Sequence, residues 1–163
     1  MIIDFKSREH YMREALKEAR AAFDEGEVPA GCVIVTTAQT DKFPAGSIIA
    51  RSHNQVELLK DPTAHAEMIA ITQAASAIGD WRLADTALYV TKEPCAMCAG
   101  AIVLARVPEV IFGAPDPRRG AAGSAFQILD SPSLNHRSQI VSGILSDECS
   151  SLLTAFFQPK REK

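Results

Sequence analysis

Cys95 and Cys98 follow Pro94 with two residues between them, so on a helix that begins there both thiols face one side of its first turn. The free N–H groups and the dipole at a helix start favour thiolate, the form that binds a metal. Taken alone, such a pair also fits a redox dithiol or half of a structural zinc site. A structural site needs a second pair, and the sequence has none. His65, near the start of an upstream helical segment, supplies a third ligand. Two cysteines and one histidine hold a tetrahedral ion at three corners and keep the fourth for water, which is a catalytic arrangement. A lone histidine is more often a hydrogen-bonded or solvent-facing side chain; Glu67, within His65-Ala66-Glu67, shifts that balance. Two positions along a helix turn Glu67 away from the direction of the histidine, so it is not a ligand to the same ion. It is instead placed to take a proton from the water and pass it to a leaving group.

The elements that must position these residues are legible from periodicity. Residues 11–23 carry Met12, Ala15, Leu16, Ala19, Ala22 and Phe23 at helical spacing with charges between them. Glu27-Val28-Pro29-Ala30-Gly31 breaks this helix, and residues 32–36 form a β-branched run that reads as a buried strand. Residues 48–50 return as its hairpin partner after a polar loop over 37–47 that contains Pro44 and Gly46. Asp61-Pro62-Thr63 supplies caps and a first-turn proline for a second helix ending near Gly79. Strands follow at 87–91, 110–112 and 139–141, with a helix over 95–105 and a terminal helix over 146–157. The alternation describes an α/β sandwich with helices on both faces of the sheet.

The chain is 163 residues long, 47% apolar and 23% charged, the balance of one globular domain spanning 1–163. Residues 1–6 show no signal-peptide pattern and no apolar run reaches membrane-spanning length, so the expected setting is cytoplasmic. There the four cysteines are thiols or ligands and not disulfides; Cys32 and Cys149, in apolar segments, read as small buried hydrophobes. A net charge of -3 gives no general attraction for nucleic acid, so any such partner must meet local positive charge.

His65-Ala66-Glu67 with Pro94-Cys95-Ala96-Met97-Cys98 resembles the signature of the zinc nucleobase deaminases. Asp61-Pro62-Thr63-Ala64, Gly120-Ala121-Ala122-Gly123-Ser124, Asn135-His136-Arg137 and Phe156-Phe157 extend the likeness to the bacterial tRNA adenosine deaminase branch, over nearly all of residues 11–157. The resemblance implies a three-layer α/β/α cytidine-deaminase-like fold around a mixed sheet of about five strands. It implies Zn²⁺ on His65, Cys95 and Cys98, Glu67 as the catalytic proton carrier, and a homodimer. The implied reaction is hydrolytic deamination of the wobble adenosine in a tRNA anticodon stem-loop. Asn54, Asp116, Asn135 and Phe157 match substrate-side positions, and Lys160, Arg161 and Lys163 fall where the family turns its last helix to RNA. Each also has a plainer reading: Asn54 as a turn residue, Asp116 as a loop cap, Phe157 as core packing. Pro115 and Pro117 around Asp116, the long 37–47 loop and Gln158-Pro159 depart from the family pattern; Arg118 and Arg119 offer compensating charge. The alternatives are a deaminase of free guanine or cytosine on the same fold, and a silent RNA-binding subunit that keeps the metal for stability. Glu67 argues against the second, which has no use for a proton carrier.

Overall fold

The structure is a computed structural model that describes residues 5–161. In chain order the elements are α1 (Phe5–Asp24), β1 (Gly31–Thr36), β2 (Ile48–His53), α2 (Val56–Leu59), α3 (Ala66–Ile78), β3 (Thr86–Lys92), α4 (Ala96–Leu104), β4 (Glu109–Ala114), β5 (Gln139–Val141) and α5 (Ser146–Arg161). The strands form one sheet in the order β2-β1-β3-β4-β5. β1 is antiparallel to both β2 and β3, while β3, β4 and β5 run parallel. A parallel pair needs a crossover, and α4 supplies the one between β3 and β4.

Alternation along β1 divides the core. Cys32 and Ile34 pack with Ala66, Ala70, Ala74, Ala99 and Ile102 of α3 and α4 on one face. Val33 and Val35 pack with Tyr11, Met12, Ala15 and Leu16 of α1 and Cys149 of α5 on the other. Every residue of β1 is buried, as a strand covered on both faces requires. The result is the expected three-layer sandwich with a five-stranded mixed sheet. At Gly31 the layers nearly touch: a Cβ there would lie 2.1 Å from the carbonyl oxygen of Ala15, so only glycine lets β1 start against α1.

Several elements differ from the periodicity: α1 starts at Phe5, α5 runs on to Arg161, and the short α2 is not expected from it. β2 continues to His53, and the second long helix starts at Ala66 and not at Pro62. Asp61 does cap, but locally: its carboxylate accepts the Thr63 N–H (2.9 Å) and hydroxyl (2.7 Å), closing a turn in place of a helix. The 37–47 loop is tied down by Thr36, whose hydroxyl donates to the Pro44 carbonyl (2.9 Å) and accepts from the Ser47 N–H (3.0 Å). The Tyr11 hydroxyl also donates to the Gly46 carbonyl (2.7 Å). Among the described residues no helix is long and apolar enough to cross a membrane.

Candidate active site

His65 and Cys95 occupy equivalent places, each the extended residue immediately before a helix, α3 and α4 respectively (φ -76°, ψ 154° and φ -74°, ψ 175°). Cys98 lies in the first turn of α4. The three side chains converge: Nδ1 of His65 is 3.6 Å from Cys95 Sγ and 3.5 Å from Cys98 Sγ, and all three donor atoms fall within 4.8 Å of one another. Zn–S bonds of about 2.3 Å and a Zn–N bond of about 2.0 Å at tetrahedral angles set sulfur and nitrogen roughly 3.5 Å apart. The triangle therefore has the size and the soft donor set of a site for a metal ion.

Glu67 stands beside it, buried at 5% exposure. His65 has extended and not helical backbone, so the helical offset between the two residues does not apply, and Glu67 stays outside the group of three donor atoms. Both side chains line one cleft of about 210 Å³, together with Val28, Ala30, Asn54, Lys92, Glu93, Cys95 and Arg119. Burial raises the Glu67 carboxyl above the ordinary carboxylate range, with the charge on Cys95 adding to it. The hydrogen bond from Cys98 carries Cys95 down to about 3 against the effect of burial, and His65 assists. Cys98 is correspondingly driven up, by that shared hydrogen bond and by burial. His65 is raised by its bond to Cys95, which outweighs burial. Asn54, at the end of β2, accepts the N–H of Ala66 through Oδ1 (2.9 Å). It thus caps α3 from a neighbouring element where His65 makes no side-chain cap, and its amide NH₂ is left for the cleft.

Two buried carboxylates lie in segments that share the family resemblance, Glu27-Val28-Pro29 and Glu93-Pro94-Cys95, without a role read for them from sequence; the structure gives each one a set of backbone partners. Glu93, 2% exposed, accepts the N–H groups of Asp116 (3.0 Å), Ala122 (3.0 Å) and Ser124 (3.2 Å) and the Ser124 hydroxyl. A Cβ on Gly120 would lie 2.3–2.5 Å from that carboxyl group, which explains the glycine at this position. Gly120 also forms an antiparallel bridge with Cys95. Glu27 accepts the Glu57 and Leu58 N–H groups (3.0 and 2.9 Å), fixing the start of α2. The available signal for both was the resemblance of their segments, Glu27-Val28-Pro29 and Glu93-Pro94-Cys95, to the family.

The sequence matches the MafB19-like deaminase family over residues 6–158. It is 48% identical over 155 residues to the tRNA-specific adenosine deaminase of Bacillus subtilis, covering 95% of this chain and 91% of that one. The chain belongs to the tRNA-specific adenosine deaminase family. A solved tRNA deaminase studied for A-to-I editing at the wobble position matches this member with a TM-score of 0.80 and 42% identity, over 88% of this chain and 99% of that one. Guanine deaminase from Nitrosomonas europaea, 21% identical with a TM-score of 0.75 over 91% of this chain and 83% of its own, shares the fold.

The remaining substrate-side positions of this family member do not gather in the cleft. Asp116 is engaged within its own loop, paired with Lys92 Nζ (3.2 Å) and accepting the N–H groups of Arg118 (3.1 Å) and Arg119 (3.2 Å). Its carboxyl lies below its ordinary range: burial pushes it up, and the Lys92 charge with these hydrogen bonds more than offsets that. Asn135 is exposed in the turn before β5, while its neighbour His136 bonds the Val107 carbonyl (2.8 Å). Phe157 is 37% exposed, stacked edge-on with Phe156 at 5.1 Å. It walls a larger groove of about 600 Å³ with Pro115, Pro117 and Leu153, which shares no lining residue with the cleft of His65 and Cys95. That groove is the roomier cavity, yet it contains no titratable side chain, whereas His65, Glu67, Glu93 and Cys95 line the smaller one. Lys163 and the side chains of Lys160 and Arg161 lie outside the described residues.

Proposed function

We propose that the protein hydrolyses adenosine to inosine at the wobble position of a tRNA anticodon, with zinc held by His65, Cys95 and Cys98. The convergence of those three donor atoms beside a buried Glu67 that lies outside their group is the observation that carries the reading. When bound, zinc would lower the pKa of a coordinated water toward neutrality and so supply a nucleophile at physiological pH. Glu67 takes up a proton from the attacking water, a task suited to a carboxyl that burial raises, since a raised pKa makes its carboxylate a stronger base. As the water oxygen bonds to the amino-bearing carbon, Glu67 delivers that proton to the adjacent ring nitrogen; it then takes the remaining proton of the new hydroxyl and delivers it to the amine. The carbon–nitrogen bond then breaks, ammonia leaves and the carbonyl of inosine remains.

Asn54 orients the base: with Oδ1 held by the Ala66 N–H, its NH₂ can only donate, which suits an acceptor atom on the nucleoside. Asp116 serves the RNA indirectly by holding the loop that carries Arg118 and Arg119, while Asn135 and Phe157 extend the contact surface for the anticodon stem-loop. A homodimer is part of the same reading, and Leu58, Leu59, Leu104, Phe126 and Leu134 are large apolar side chains left exposed in the single chain. One domain covering 1–163, working in the cytoplasm where tRNA is processed, completes the reading. The test is to incubate purified protein with an anticodon stem-loop RNA bearing a wobble adenosine and to sequence the product. Adenosine read as guanosine at that base is expected; turnover of free guanine or cytidine with unchanged RNA would overturn it.

A further inference from the structure

Arg119 is exposed, yet its side chain lines the same cleft as His65 and Glu67. Its backbone is not free to wander. The Arg119 N–H is held by the Asp116 carboxylate (3.2 Å), and the next residue, Gly120, donates to the Asp116 carbonyl (2.8 Å) and bridges Cys95. The guanidinium is therefore rooted one residue from the strand-like contact that reaches the metal-type donors. Asp116 directs its second carboxylate oxygen to Lys92, so it neutralises that lysine. The Glu93 oxygens are filled by the N–H groups and hydroxyl of the 116–124 loop. Among the described residues no carboxylate pairs with Arg119. With a net charge of -3 the chain has no general basic character, so an unneutralised guanidinium at the mouth of the reaction cleft is a local feature with a local use.

A free base or nucleoside offers that guanidinium no anionic partner, whereas a nucleotide within a strand offers a phosphate that a planar fork can grip with two hydrogen bonds. We infer that Arg119 binds a backbone phosphate next to the reacting nucleotide and so makes the cleft select a residue within RNA over a free nucleoside. The inference rests on the proposed reaction and names what the same site recognises.

The test compares wild type, Arg119→Ala and Arg119→Lys on the stem-loop RNA across a salt series. For Arg119→Ala, KM should rise about tenfold, as loss of one charge-assisted contact implies, while kcat stays within about twofold. The slope of log(kcat/KM) against log salt should flatten by roughly 0.7, the counterion release of one single-strand phosphate contact. Arg119→Lys, which keeps the charge, should retain the slope. An unchanged KM and slope in Arg119→Ala, or a fall in kcat with the slope intact, would overturn the inference while leaving the function standing. Wild type that makes no inosine in the RNA would overturn the functional reading itself, and this inference with it.

Discussion

Replacing Glu93 by glutamine should loosen the loop that forms one wall of the cleft, and the cost follows from its hydrogen bonds. Oε1 accepts the Asp116 N–H and the Ser124 hydroxyl; Oε2 accepts the Ala122 and Ser124 N–H groups. The amide loses least when its NH₂ takes the Oε1 place, because the Ser124 hydroxyl can then rotate to accept. The Asp116 N–H is still left facing a donor, which costs about 1–2 kcal/mol for a partly buried group. The bonds retained by the remaining oxygen lose their charge assistance, about 0.5–1 kcal/mol each. The sum is about 2–4 kcal/mol. At about 2–4 °C per kcal/mol for a chain of this size, the thermal midpoint should fall by roughly 5–15 °C. Limited trypsin digestion should cut first after Arg118 or Arg119, since the loop released is theirs. A midpoint within about 1 °C of wild type, with no new cleavage there, would refute the assignment of Glu93 as the loop's anchor.

Cys95→Ala and Cys98→Ala should each lose metal, read by elemental analysis, and lose inosine formation with it, because two ligands do not close the triangle. A pH effect is expected at His53, whose ring bonds Glu18 (3.0 Å) through Nδ1 and Glu25 (2.9 Å) through Nε2, joining the end of β2 to α1. Burial depresses its pKa, but the two carboxylates outweigh that and raise it above 6.5. A raised folded pKa gives stability that is full below the unfolded value, while the carboxylates remain ionised, and is lost as pH climbs through the folded value. The melting difference between wild type and His53→Gln should thus be largest just below pH 6.5 and shrink at alkaline pH; a difference that does not vary with pH would contradict the link.

The sheet and the chemistry were legible for the same reason: short-range pattern decides both. Apolar runs at 32–36, 87–91 and 110–112 lie inside β1, β3 and β4, and of the motif residues His65, Glu67 and Cys95 line the cleft, with Cys98 Sγ 3.5 Å from His65. Features set by distant partners were hidden. α3 begins at Ala66 because Asn54, from another element, accepts the Ala66 N–H, while Asp61 spends its carboxylate on Thr63. His65 faces the same cleft as Glu67 because it precedes the helix instead of joining it. The roles of Glu93 and Lys92 depend on a loop that returns to them from residues 116–124, a closure that no local spacing encodes.

The proton-carrying role of Glu67 is most directly tested by measuring metal content and inosine yield on one preparation of Glu67→Ala. The expected result is a full complement of zinc on a folded protein with no inosine formed. Loss of the metal would show that Glu67 is a ligand, and retained turnover would show that the proton travels through another group; either contradicts the arrangement of one carboxyl beside three donors.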